Sequence, residues 1–246
     1  MSRSLKNQLA EKNIIRKLII KSDLDSMDFI AKYYDKWYGY YMGLDILWKA
    51  IADEISPKIK DSFIDVGCGT GGLLDRVRNN RQDIYLGGVD ISQKSLEMAK
   101  IVTNNNSVVL KHSSPTNIPF EDESFSNGIS TFSFNLWSNH IEMLNEIYRI
   151  MKHGEEFTIL DFNGDEKYEE SLLKDMKTVL KMQKTPYFLR KMIEIDIDCI
   201  VKVLGLFNKE EIENMIKCSR FSRYEIKERS VLHSSEHMFL EISLRK

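Results

Sequence analysis

The chain has 246 residues, with 35 Lys and Arg against 37 Asp and Glu, a formal net charge of -2, and 42% hydrophobic and 29% charged residues. That is the composition of a soluble globular protein with room for one sizeable α/β domain and its elaborations. The near-neutral balance gives no whole-molecule attraction to nucleic acid or anionic lipid, so neither is expected as a partner.

No apolar run approaches the ~18 residues a membrane span needs, and no leader segment is expected at the N-terminus. The three cysteines, Cys68, Cys199 and Cys218, are far apart and odd in number. A disulfide framework or zinc knuckle is therefore not expected, and a reducing cytoplasm is the natural compartment.

In chain order, residues 1–22 read as a basic amphipathic helix, with Leu5, Leu9, Ile15, Leu18 and Ile19 at helical spacing. Residues 27–56 form a second helical stretch rich in aromatic residues, interrupted at Gly39 and Gly43 and ended by Pro57. Residues 1–57 are taken as an N-terminal helical cap. From Phe63 the texture changes to short apolar strands alternating with helical patterns, the signature of a parallel sheet built from βαβ units. Strands are expected near Ser62–Val66, Tyr85–Asp90, Ser107–His112, Gly128–Thr131 and Glu156–Leu160. Helices are expected near Gly71–Asn79, Gln93–Asn104 and His140–Met151. Residues 165–206 read as a helical insert. Two strand-like runs, Ser222–Val231 and His237–Leu244, suggest an antiparallel hairpin on the far edge of the sheet. The expectation is a Rossmann-like, mostly parallel, seven-stranded α/β domain over 58–246, with a helical lid at 165–206.

The run Phe63-Ile64-Asp65-Val66-Gly67-Cys68-Gly69-Thr70-Gly71-Gly72 carries the chemistry. A buried strand enters a glycine turn that opens a helix, so backbone N–H groups and a helix N-terminus face a ligand. Gly67, Gly69 and Gly72 satisfy the dinucleotide pattern, which admits a pyrophosphate. Asp65 argues against it: a carboxylate there repels phosphate and attracts an ammonium group. Asp90, 25 positions later and at the end of the next strand, is placed to accept from ribose hydroxyls, as in any adenosyl ligand. Ile91 would lie on the adenine face.

The Asp-Val-Gly-Cys-Gly-Thr-Gly run at 65–71 and the Val-Asp-Ile-Ser run at 89–92 resemble the first two motifs of class I S-adenosylmethionine-dependent methyltransferases. The stretches Ile118–Phe125 and Leu144–Glu155 resemble the ubiquinone/menaquinone-biosynthesis-type branch of that family. The resemblance implies a Rossmann-like fold, S-adenosylmethionine as donor, and in-line methyl transfer to a small-molecule acceptor, expected to be apolar or aromatic. It also implies donor contacts at Tyr33, Tyr34, Asp65, Gly67, Cys68, Gly69, Asp90, Ile91, Ser113, Ser114, Phe132 and Ser133.

Three positions depart from the family pattern. Ser114 stands where the family usually has Asp near the adenine, Ser126 where Asp follows Ser-Phe, and Lys152-His153-Gly154-Glu155 where Lys-Pro-Gly-Gly is usual. No general base is assigned; His140 is the nearest candidate among five histidines. The Asp161–Asp165 run fails as an EF-hand, because its twelfth position is Leu172, and no metal is expected. Two other readings compete: a catalytically silent donor-binding regulatory or partner subunit, and an NAD-dependent oxidoreductase, which Asp65 disfavours.

Overall fold

A computed structural model describes residues 44–104, 108–113, 117–165, 206–229 and 239–246, together with a few single positions between 168 and 194. Tyr33, Tyr34, Ser114, the 1–22 stretch and nearly all of the 165–206 insert lie outside the described residues. The elements are α1 (Leu44–Ile55), β1 (Ser62–Val66), α2 (Gly72–Asn80), β2 (Tyr85–Asp90), α3 (Gln93–Val102), β3 (Val109–His112), β4 (Phe125–Thr131), α4 (His140–Ile150), β5 (Met151–Phe162), α5 (Lys209–Lys217), β6 (Arg223–Arg229) and β7 (Phe239–Arg245).

The sheet has seven strands in the order β3-β2-β1-β4-β5-β7-β6. β1 to β5 run parallel, and β7 pairs antiparallel with both β5 and β6. This is the expected Rossmann-like sheet, with the expected terminal hairpin at its edge. The hairpin is folded inward, so that the last strand lies between β5 and β6.

Every residue of β1 is buried, as a central parallel strand with helices on both faces requires. Its side chains alternate between two cores. Phe63 packs with Leu47 and Ile51 of α1, Leu73, Leu74 and Val77 of α2, and Leu96 of α3. Ile64 and Val66 pack on the other face with Leu144 and Ile147 of α4 and Ile212, Met215 and Ile216 of α5.

Three of the helix starts follow side-chain caps. Ser92 Oγ accepts from the Ser95 N–H at 3.1 Å before α3, Asn139 caps α4, and Asn208 with Glu211 forms a reciprocal capping box before α5. β5 starts five residues earlier than the apolar pattern shows, at Met151. Gly154 there has φ +80° and donates to the carbonyl of Lys246, while the Lys246 N–H donates to Glu155, so pairing with the chain's last residue draws this stretch into the sheet.

Candidate functional site

The strand order reverses between β1 and β4, which opens a crevice at the carboxyl ends of the parallel strands. Four loop starts meet there. The turn after β1 needs positive φ at Gly67 (79°), Gly69 (52°) and Gly71 (85°). The Gly67 and Cys68 N–H groups both donate to the Val89 carbonyl, at 2.8 and 3.0 Å. A Cβ on Gly67 would fall 2.5 Å from Ser133 Oγ, and one on Gly71 would fall 3.0 Å from the Ala99 methyl. The first glycine thus admits the loop after β4 and the third admits α3. Gly69 faces open space, with nothing within 4 Å of where a side chain would start.

Asp90 ties the turn together. Its Oδ2 accepts from the Gly69 N–H at 2.8 Å, its Oδ1 from the Ser92 N–H at 2.8 Å, and its carbonyl from the Ser113 N–H at 3.0 Å. One residue therefore fixes the loops after β1, β2 and β3. Burial pushes its carboxyl above the usual carboxylate range. Ile91, next to it, is 41% exposed, an apolar side chain held out at the rim. The His112 ring nitrogen Nε2 lies 2.8 Å from the Ile91 carbonyl. Ser113 is buried and donates to the Asn117 carbonyl at 3.1 Å.

Asp65 shares Phe63's face of the sheet and is 2% exposed. Its Oδ1 is buried with no hydrogen-bond partner. Burial, with the Asp90 charge nearby, pushes its carboxyl up to about 8. A buried carboxylate oxygen without a donor, close to a second carboxylate, calls for a cationic group and repels an anionic one. A pyrophosphate does not fit that requirement; an ammonium group does. Cys68 is buried in the turn beside these two acids, and burial pushes its thiol well up, which suits a small packing residue.

The loop after β4 closes the other side. Phe132 takes φ +53°, unusual for an aromatic residue, and its ring lies 5.0 Å from Phe162, 5.7 Å from Phe239 and 5.8 Å from Trp48. Ser133 Oγ reaches the Val66 carbonyl at 3.2 Å and Ser130 Oγ at 2.6 Å, and accepts from Trp137 Nε1 at 3.2 Å. His140 is buried, its Nε2 2.8 Å from the Phe134 carbonyl, with its ring against Phe134 and Phe207. Its surroundings are those of a core histidine.

Ser126, one of the departures from the family pattern, lies near the start of β4, at the opposite end of the sheet from the crevice. It exchanges hydrogen bonds with Ser62: its Oγ donates to the Ser62 carbonyl at 2.8 Å and its N–H donates to Ser62 Oγ at 2.9 Å. It is a stitch between β1 and β4. A separate small depression under α1, lined by Ile51, Phe63, Gly128 and Arg229 among others, contains none of the candidate residues. Among the described residues, no three His, Cys, Asp or Glu side chains gather to hold a metal, and no helix is long and apolar enough to cross a membrane.

Of the described candidates, Asp65 and Asp90 lie at the carboxyl ends of β1 and β2, and Gly67, Cys68, Gly69, Ile91, Ser113, Phe132 and Ser133 fall on the loops that follow β1, β2, β3 and β4. Sequence reasoning missed Asn135 and Asp161, buried partners just behind Phe132 and Ser133. Nothing in their spacing marks them, because the bonds join residues 26 positions apart.

Residues 64–159 match a family described as a methyltransferase domain. An uncharacterized protein of Methanocaldococcus jannaschii is 36% identical over 129 residues, which cover 51% of this chain and 45% of that protein, so the chain spans about half of that relative's length. A ubiquinone/menaquinone biosynthesis C-methyltransferase of Bartonella tribocorum is 26% identical over 207 residues, covering 79% of this chain and 78% of the relative. Among solved structures, the plantazolicin methyltransferase BpumL, in complex with a monoazolic desmethylPZN analogue and S-adenosylhomocysteine, superposes with a TM-score of 0.68 at 16% identity over 98% of both chains. That likeness is one of fold.

Proposed function

We propose that this chain, which carries a domain of the S-adenosylmethionine-dependent methyltransferase family at residues 64–159, methylates a small apolar or aromatic molecule. The observation that carries the reading is the partnerless buried oxygen of Asp65 beside the Gly67–Gly71 turn. It suits the ammonium end of an amino acid and disfavours the pyrophosphate of NAD.

In this reading Asp65 and the turn at Gly67, Cys68 and Gly69 hold the amino-acid tail, Asp90 accepts from the ribose hydroxyls, and Ile91 covers the adenine face with Ser113 nearby. Phe132 and Ser133 border the reacting end. Tyr33, Tyr34 and Ser114 are retained as further donor contacts on the strength of the resemblance alone.

Bound there, S-adenosylmethionine supplies a methyl group on a sulfonium, and the carbon passes to the acceptor's nucleophile while the C–S electron pair stays on sulfur. The residues' contribution is placement and dryness. Loops anchored on rigid strand ends hold the reacting atoms in line, which accounts for much of the barrier in such transfers. The cluster of Trp48, Phe132, Phe162 and Phe239 offers an apolar wall that excludes water and can face a cation with its ring electrons. The same wall favours a flat apolar acceptor, in keeping with the quinone chemistry named for the Bartonella relative. The Asp165–Leu206 insert, which leaves from the same rim, is assigned to the acceptor side.

Calorimetry with S-adenosylmethionine, S-adenosylhomocysteine and NAD tests the reading. The first two should bind and NAD should not; NAD binding without the others would replace this enzyme by an oxidoreductase. Donor turnover over a panel of phenolic and quinol acceptors then tests catalysis.

A further inference from the structure

Behind the loop that borders the proposed donor site lies a fully buried polar junction. Asn135 sits on the short 3₁₀ turn Phe134–Leu136 and is 3% exposed. Its Nδ2 donates to Asp161 Oδ1 at 2.7 Å, its backbone N–H donates to Asp161 Oδ2 at 3.2 Å, and its Oδ1 accepts from the Phe207 N–H at 3.0 Å. Asp161, at the end of β5, is 1% exposed and also accepts from the Phe162 N–H at 2.7 Å. Phe207 in turn accepts from the Gly164 N–H at 3.0 Å. One primary amide thus joins three separate chain segments: the loop after β4, the end of β5 and the segment entering α5.

The same loop touches the glycine turn on its other flank. Ser133 Oγ lies 3.2 Å from the Val66 carbonyl and occupies the space a side chain on Gly67 would need. Only Phe134 separates Ser133 from Asn135. A shift at the junction therefore moves the loop against the turn. An amide suits the position because it donates to a carboxylate and accepts from a backbone N–H at once; a carboxylate in its place would face Asp161, and an apolar side chain would leave two buried groups unpaired.

We propose that Asn135, held by Asp161 and Phe207, is a positioning residue of the donor site, setting the seat of Phe132 and Ser133 against the Gly67 turn. The proposal rests on the functional reading given above for what binds there. None of these bonds touches the donor itself, so the residue acts through the loop.

The test compares wild type with Asn135→Ala, Asp161→Asn and the exchanged pair Asn135→Asp with Asp161→Asn. S-adenosylhomocysteine affinity is measured by calorimetry, and the indole N–H resonance of Trp137 is followed by NMR without ligand, since that group reports on Ser133 Oγ at 3.2 Å. Either single variant should lower the affinity about tenfold, the equivalent of one charge-assisted hydrogen bond, and displace the Trp137 resonance. The exchanged pair restores a bond between the two side chains while turning an amide N–H toward one of the backbone N–H groups that Asp161 serves, so it should recover part of both.

Wild-type affinity in the singles, with only a lower melting temperature, would make the junction purely structural and overturn the proposal. So would an exchanged pair no better than the worse single. If Asn135→Ala fails to fold, Asp161→Asn carries the comparison. Failure of wild type to bind S-adenosylhomocysteine would sink the functional reading, whereas an unmoved Trp137 resonance in the singles sinks the positioning role independently.

Discussion

At the scale of single residues, Asp65 concentrates the electrostatics of the site. Its carboxyl is raised to about 8 against an ordinary value of 3.8, so the folded protein holds this proton more tightly than the unfolded chain does. Its contribution to stability is therefore greatest below about pH 4 and is lost as pH rises through about 8. Asp65→Asn should be at least as stable as wild type at pH 8, with the advantage shrinking toward pH 5, in thermal melts. Binding an ammonium group favours the ionised form, so at pH 7 the wild type should release a proton on taking up S-adenosylhomocysteine and Asp65→Asn should not. Calorimetry in two buffers of different ionisation enthalpy reads this directly; equal proton release in both proteins would remove Asp65 from the tail's contacts.

Residue identity also explains what the sequence conveyed and what it did not. Asp65, the glycines and Asp90 are legible because each meets a local demand: a strand end, a positive φ, a loop anchor. Asp90 does more than its motif reading implies, since both carboxylate oxygens already hold backbone N–H groups of two loops. Ser126 reads as a deviation in a motif but serves a β1–β4 stitch with Ser62, so it lends no support to a silent, donor-binding subunit. Asn135 and Asp161 were illegible because their meaning lies in a long-range bond rather than in a neighbour.

At the scale of elements, β1, β2 and the start of α3 and α4 coincide with their sequence signals, since a continuous apolar run and a capping side chain act locally. The early start of β5 is not local: Met151 pairs with Phe125 of β4, and Gly154 and Glu155 bond to Lys246, nearly a hundred residues on. The caps are worth testing in their own right. Ser92→Ala removes the acceptor for the Ser95 N–H and should destabilise by about 1 kcal/mol. In a chain this long that is roughly 2–4 °C of melting temperature. Because Ser92 also donates its N–H to Asp90, a loss of donor affinity beyond that expected from stability would show that the cap orders the loop after β2 as well. Asn208→Ala removes the capping box of α5 and should give a similar drop in melting temperature.

At the scale of the whole molecule, the sheet separates two tasks. The loops after β1, β2 and β3 gather on Asp90, whereas the end of β5 and the segment entering α5 gather on Asn135. The insert between them leaves at Gly164 and returns at Phe207, where the Gly164 N–H meets the Phe207 carbonyl at 3.0 Å and a Cβ on Gly164 would strike the Leu206 backbone. Replacing residues 166–205 by a short Gly/Ser linker should leave S-adenosylhomocysteine affinity within about threefold, since closing a shorter loop across the same span changes the entropy little. It should abolish acceptor turnover. Loss of donor binding as well would return the insert to the donor's side of the crevice.

That closed neck has a consequence for how such a protein can change. With exit and re-entry stitched backbone to backbone, the two ends of the insert are held together by the domain itself. A different cassette, longer or shorter, could be carried on the same two points, so a new substrate preference can arise by exchange at one seam while the cofactor's cradle stays as it is.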